Sequence, residues 1–261
     1  MIAFADYTLT AIFGASIVIL LAASEIGHLL GLRAAGEANV STLEAAILGL
    51  LALMLSFTFA MALTRFDARR EAVLNEAYAI GTAALRARLL PTPHNADCLK
   101  LLRDYVQLRL EITQRVLTPA ELSAAIAHSN EIQGALWRQV TAIVPKNDGM
   151  VPTGLFILAL NETFDDQEKR VTALRNRVPN IVLAALYGIA VAAIGFAGYT
   201  SGTEGRRWRL PVYSMSILVA AVILLIQEID RPSAGFISVS QQPMIDTANA
   251  LASYSAEIEP R

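Results

Sequence analysis

The chain of 261 residues is 54% hydrophobic and only 17% charged, with a mean hydropathy of +0.47, whereas an ordinary water-soluble domain carries about 25% charged residues. Its formal net charge of -2, with no basic stretch interleaved with aromatics, excludes a nucleic-acid surface. The single cysteine, Cys98, excludes an internal disulfide and a Cys-based zinc site, and reads as a small buried hydrophobe.

In chain order, the first signals are two uncharged apolar stretches, Tyr7 to Ser24 and Ala45 to Thr64. Each is long enough for a helix that crosses the hydrocarbon core, which takes about 20 apolar residues. The residues before the first, Met1-Ile-Ala-Phe-Ala-Asp6, hold an acid and no Lys or Arg, so the segment reads as a retained span and not a signal peptide. Two further stretches, Val178 to Thr203 and Leu210 to Gln227, flank Gly205-Arg-Arg-Trp-Arg209. The expected fold is therefore an all-α membrane protein with four transmembrane helices in two hairpins around a cytoplasmic helical domain. The divisions are residues 1–64 (first hairpin), 65–178 (helical domain), 179–229 (second hairpin) and 230–261 (cytoplasmic tail).

Orientation rests on Lys and Arg near the membrane ends, which accumulate on the cytoplasmic side. Arg65, Arg69, Arg70, Arg86 and Arg88 follow the second span, and Lys169, Arg170, Arg175 and Arg177 precede the third. Against them stand Arg33 and the trio Arg206, Arg207 and Arg209. The balance places both termini and the middle domain in the cytoplasm, with the spans read as crossing an inner membrane.

The middle domain reads as helices with clear punctuation. Val73, Ala77, Ile80 and Ala84 form one apolar face on a helix continuing from the second span to Leu90-Pro91. A helix near Ala96 to Leu117 carries two apolar stripes, one through Leu99, Leu102 and Val106 and one through Leu101, Tyr105 and Leu108. Thr118-Pro119-Ala120-Glu121 is a capping box that opens the next helix. A last helix from about Thr153 runs into the third span near Pro179, and its apolar run Val151 to Leu160 is too short to span and reads as core. After the fourth span an extended segment leads to a short helix opened by Pro243, with Met244, Ala248 and Leu251 on the face that packs on the middle domain.

No enzyme signature is present: no phosphate-binding Gly-Lys-Ser/Thr loop, no Gly-x-Ser-x-Gly, no His-Glu-x-x-His. His28, His94 and His128 lack ligand spacing, so no catalytic residue, metal or cofactor is expected. Ionisable groups beside hydrocarbon are costly and usually face a partner or a water path; Glu25 with His28, and Glu228 with Asp230 beside Arg231, are such groups, all expected at the inner surface, where solvation in the interfacial layer is the reading set against a proton- or ion-sensing role. Pairs of small residues, Gly27 with Gly31, Gly198 with Gly202, and the stripe Ala184-Gly188-Ala192-Gly195, suit close helix packing. In the second span Leu53, Phe57 and Met61 share a face, with Phe59 close by. Rings of such residues from several subunits would form a hydrophobic constriction; lipid-facing or packed side chains are the alternative. Arg65, Arg69, Arg70 and Glu76 would ring its inner mouth.

The run Leu55-Ser-Phe-Thr-Phe-Ala-Met61, with Arg65-Phe-Asp-Ala-Arg-Arg70, Glu76-Ala-Tyr-Ala-Ile-Gly-Thr82, Leu85-Arg-Ala87 and Leu90-Pro91, resembles the core motif of the bacterial bestrophin-like membrane family. Asn161-Glu162, Arg177-Val-Pro179, Asp230-Arg231-Pro232, Gly235, Val239-Ser240 and Pro243 extend the resemblance over nearly the whole chain. It implies similarity to bestrophins, pentameric anion channels with four membrane helices per subunit, cytoplasmic termini and a neck lined by a phenylalanine-rich run of the second helix. Leu53, Phe57 and Arg65-Phe66 lie over that run. Gly49 stands where a third bulky neck residue belongs, and no acidic cluster like the bestrophin calcium clasp is present, so calcium gating is not carried over. The resulting expectation is a homo-oligomeric ion channel, partnered by lipid and inorganic ions. Its rival is a non-conducting membrane scaffold or sensor whose cytoplasmic helices bind a partner.

Overall fold

The computed structural model describes residues 8–34, 40–113, 118–146, 150–204, 209–232 and 236–258. The described residues form eight α-helices and one 3₁₀ turn, with no strand among them: α1 Leu9–Arg33, α2 Ser41–Ala87, α3 His94–Glu111, α4 Pro119–Ile143, the turn Val144–Lys146, α5 Met150–Arg175, α6 Asn180–Thr203, α7 Leu210–Asp230 and α8 Gln242–Ile258. Four stretches, Leu9–Arg33, Ser41–Ala87, Val151–Thr203 and Leu210–Asp230, are long and apolar enough to cross a membrane. The chain divides into two compact units, one of Met1–Phe66 and Arg177–Ile237, the other of Asp67–Asn176 and Ser238–Arg261. Both take part of α2, which runs unbroken for 47 residues.

In the first unit α1 packs mainly along α6 and next along α7. This differs from the pairing expected from sequence, in which α1 and α2 form a hairpin; α2 lies less closely against the other helices. The reason is the placement of glycines. A Cβ on Gly27 or Gly31 would fall inside the backbone of α6 at Gly195 or Tyr199, and one on Gly198 or Gly202 inside that of α1 at Ser24 or His28. Without side chains at these four positions the two backbones touch. Lipid tails are as apolar as leucine, so dispersion at such contacts, rather than escape from water, holds membrane helices together. Gly49 and Gly188, by contrast, have open space where a Cβ would sit, so Gly188 takes no part in the close packing its stripe suggested. Leu20, Leu186, Ala190, Ile194, Ala220 and Ile223 fill the centre of this unit.

The second unit has its own core, with Ile80, Leu99, Leu102, Tyr105, Leu136, Ile143, Phe156 and Leu160 nearly or wholly enclosed. Burying such a side chain contributes about 1.5–3 kcal/mol wherever unfolding would expose it to water. Met244 and Leu251 of α8 belong to this core, so the tail helix folds into the second unit. Cys98 is fully enclosed, and burial, with Asp97 adding, pushes its thiol up to about 12, as for an inert core residue. The run Val151 to Leu160 is core on one face only. Phe156, Ala159 and Leu160 are buried while Val151, Leu155 and Leu158 are exposed.

Local signals carried the punctuation well. Thr118 Oγ1 accepts from Glu121 N–H at 3.2 Å and Glu121 Oε2 accepts from Thr118 N–H at 2.8 Å, completing the capping box at the start of α4. Replacing Thr118 by Ala should cost about 1 kcal/mol of stability, read as a small fall in the midpoint of thermal unfolding. The expected continuity between α5 and the third span is broken instead. α5 ends at Arg175 and α6 starts at Asn180, with Pro179 extended at its N-cap. Val178 N–H donates to both carboxylate oxygens of Asp230, at 3.0 and 3.1 Å, so a side chain at the end of α7 satisfies a backbone donor freed by the break. Residues 114–117 and 205–208 lie outside the described residues, so Val116 and Leu117 of the expected third helix and Arg206, Arg207 and Trp208 are not placed.

Candidate functional site

Side chains three or four residues apart share one face of α2, and burial divides the candidates of the second span further than that spacing does. Leu53 is 51% and Phe57 61% exposed, one turn apart, with Ser56, Ala60 and Thr64 exposed beside them. Phe59 and Met61 are partly buried against the core of the first unit, with Met54, Leu55 and Phe66. Leu53 and Phe57 thus share an outward face and Phe59 is engaged on the opposite side, while Met61, which its four-residue spacing puts next to Phe57, is partly buried at the edge of that face. Ser56, Thr58 and Thr64 hydroxyls donate to carbonyls one turn back, so none leaves an unsatisfied donor in the apolar segment. Arg65, partly buried, donates from Nη1 to the Met61 carbonyl at 3.1 Å, and Arg70 is exposed.

Glu76 and Arg69, grouped by sequence with these charges, occupy a different environment. Glu76 is fully enclosed and Arg69 is 2% exposed. A carboxylate without solvent access cannot ring an aqueous mouth, which corrects the expectation for Glu76. Its partners come from α3 and α5: Arg109 Nε lies 2.8 Å from Oε1 and Arg170 Nη1 2.6 Å from Oε2. Tyr105 Oη stands 2.8 Å from Glu76 Oε1 and 2.7 Å from Gln167 Oε1. Its one proton goes to the carboxylate, the stronger acceptor. Gln133 and Asn130 continue the network through Gln167, and Arg170 Nη2 donates to Gln241 at 3.0 Å. Burial pushes the Glu76 carboxyl up, but the charges of Arg109 and Arg170 and the bonds from Arg170 and Tyr105 outweigh it and hold it below the usual carboxylate value. Burial and then the Glu76 charge push the Tyr105 phenol well up. In this network one buried negative charge thus sits between two buried positive ones, inside the second unit.

The ionisable groups of the first and fourth spans lie at opposite ends of α7. Glu25 accepts from Arg209 Nη1 at 2.6 Å and from the Tyr213 hydroxyl. Arg209 precedes the first residue of α7 and Asp230 is its last, roughly 30 Å along a 21-residue helix. Glu25 and His28 are therefore not on the side of Glu228 and Asp230, a correction to placing all four at one surface. His28 is 5% exposed and its Nδ1 has no partner among the described residues; the close approach of α1 to α6 at Gly202 has drawn it in. Glu228 accepts from the Phe236 and Ile237 N–H groups.

Sequence reasoning also passed over a polar chain within the first unit. Ser16 Oγ donates to the Ile12 carbonyl at 2.7 Å, so its contact of 2.7 Å with Tyr187 must be a bond donated by the phenol. Gln227 Nε2 then donates to Tyr187 Oη at 3.0 Å. Polar residues inside apolar spans were the available signal. Among the described residues no three His, Cys, Asp or Glu side chains cluster so as to hold a metal ion. His94 Nδ1 is 2.7 Å from Gln139 Oε1, and His128 is exposed beside Glu131.

No curated protein matches the sequence. Solved structures do resemble the fold. A bacterial Bestrophin homolog from Klebsiella pneumoniae is similar at 15% identity and a TM-score of 0.68, over 97% of this chain and 100% of that one. A form of the same homolog carrying an isoleucine-to-threonine mutation gives 13% identity and a TM-score of 0.70, over 95% and 99%. For a form with a tryptophan-to-alanine mutation the figures are 16%, 0.64, 94% and 97%. At these identities the likeness is one of fold. A family model, the Bestrophin-like domain, matches residues 9–244, nearly the whole span from α1 to α8, and the chain is therefore a membrane protein that belongs to the Bestrophin-like family.

Proposed function

We propose that this chain assembles as a homo-oligomer, a pentamer, that conducts ions through a central pore lined by α2, anions in preference to cations. One observation carries the reading: Leu53 and Phe57 present bulky apolar groups outward from a helix only loosely held by the rest of its own unit. Such a face asks for a partner, and in a ring of copies it forms an apolar constriction that gates by dewetting. Arg65 and Arg70, past the end of the span, supply positive charge at the mouth and favour anions. α1 with α2 and α6 with α7 are the four crossing helices, the middle helices and both termini lie in the cytoplasm, and the membrane is the bacterial inner membrane.

Recordings from purified protein in planar bilayers test the proposal. Wild type should pass a chloride current, and Phe57→Ala, by opening the constriction, should raise it several-fold, since an apolar neck is a barrier to hydrated ions. Absence of current in both proteins across ions and pH, together with a monomer or dimer in detergent, would instead favour a scaffold or sensor that binds a partner through its cytoplasmic helices.

A further inference from the structure

Where the break before α6 meets the end of α7, a small half-open cavity of about 40 Å³ is lined by Arg177, Asn180, Leu183, Gln227, Asp230 and Arg231. One water needs about 10–15 Å³ by the same measure, so the space admits a larger polar group. Its ionisable lining is two arginines and one aspartate, a residual charge of +1. Arg177 is exposed and Arg231 half-buried. Burial, and next the like charge of Arg177, lower the Arg231 pKa, while Asp230 acts the other way. One Asp230 carboxylate is shared with the Val178 N–H at 3.0 Å. On the inner wall, Gln227 is 4% exposed and its Oε1 has no partner among the described residues. The amide cannot turn to remedy this, because the Ser16–Tyr187 chain described above requires Nε2 as the donor to Tyr187. The cavity therefore asks for two things at once: anionic oxygens between the arginines and a donor for Gln227 Oε1.

A phosphate with an adjoining hydroxyl or ammonium meets both demands, and it is available in two forms, as a phospholipid headgroup or as free hydrogen phosphate. The position favours the lipid. The cavity lies at the ends of helices of 24 and 21 residues, lengths that place it at the headgroup level of a bilayer, and basic pockets between membrane helices are suited to anionic headgroups. We propose that this cavity is a phospholipid headgroup site, in which Arg177 and Arg231 hold the phosphate and a headgroup ammonium or hydroxyl donates to Gln227 Oε1.

The proposal rests on α6 and α7 crossing the membrane, and that premise is read separately from the fraction in which the expressed protein sediments and its need for detergent. The full chain, extracted and delipidated, is titrated with phosphatidylethanolamine, phosphatidylglycerol, phosphatidylcholine and inorganic phosphate, and bound molecules are counted by native mass spectrometry. Phosphatidylethanolamine and phosphatidylglycerol should bind about tenfold more tightly to wild type than to Arg177→Gln, the loss expected of one charge-assisted bond. Phosphatidylcholine, which has no donor, should bind less tightly than phosphatidylethanolamine, and Gln227→Met should erase that preference. Arg177 is exposed, so its variant is expected to fold, and an unchanged unfolding midpoint verifies that. Equal lipid counts in wild type and Arg177→Gln would overturn the site, as would a preference for phosphatidylcholine. Binding of inorganic phosphate that lipid does not displace would overturn the lipid source, and no retained ligand of any kind would leave a water-filled cavity and overturn the proposal.

Discussion

Replacing Glu76 with Gln is expected to destabilise the second unit by about 3–5 kcal/mol, the cost of removing one partner from a buried ion pair. Arg109 and Arg170, 2% and 3% exposed, would keep their charges with no counter-ion between them. The thermal midpoint of the purified full-length protein should fall by roughly 10 °C, taking about 2–4 °C per kcal/mol for a chain of this size. The decisive comparison is the combined replacement of Glu76, Arg109 and Arg170 by Met. If buried charge is the cause, the triple variant should be more stable than Glu76→Gln alone, because no unpaired ion remains. A midpoint for Glu76→Gln within about 2 °C of wild type, less than 1 kcal/mol on that scale, would refute the network's role. Acid should act in the same direction. The folded-state pKa of Glu76 is depressed, so its contribution is fully present above the unfolded carboxylate value of about 4.3 and is lost as pH falls through the lower folded value. Wild type should lose stability below that range, and Glu76→Gln should lack this component.

The sequence contained more of this network than its periodicity alone conveys. Val73, Ala77 and Ile80 mark the core face of α2, and Glu76 lies on that face, just as Arg109 continues the Leu102 and Val106 stripe of α3. A charge in register with an apolar stripe predicts a buried partner of opposite sign. What one sequence cannot supply is which one, since Glu76 and Arg170 are 94 residues apart. The same distinction runs through the rest of the molecule. Apolar stretches and caps are local, so the four long apolar helices, the capping box at Thr118 and the helix opened by Pro243 were legible. Which helices touch is not local. Hydropathy assigns Phe57 and Phe59 alike to the second span, yet two residues of helix rotate them by about 200°, and only the tertiary structure reveals that Phe59 packs inward. Membership in the Bestrophin-like family was legible because its motif residues recur along the chain, whereas Tyr187 and Gln227 became meaningful only when α1, α6 and α7 brought them to Ser16.

The contact of α1 with α6 makes the second large prediction, because opposing effects can be weighed there. Gly198→Ala removes a glycine from a helix interior, which favours the helix by about 1 kcal/mol. The added Cβ, however, would lie within the backbone of α1 at Ser24, where no flexible side chain can yield. The two helices must separate, and the Gly27, Gly31 and Gly202 contacts loosen with them. Overpacking of a tight interface costs about 1–3 kcal/mol and occasionally more, so Gly198→Ala should be net destabilising and Gly198→Leu, with its larger branched side chain, should be poorly folded or unassembled. Gly188→Ala is the control within the same helix. No atom lies within 4 Å of its added Cβ, so only the helix-propensity gain remains, and its unfolding midpoint should match or exceed that of wild type. Reversal of this order, with Gly188→Ala the more damaging, would mean that the surface around Gly188 is covered in the assembled protein and that α6 closes a contact between copies rather than within one.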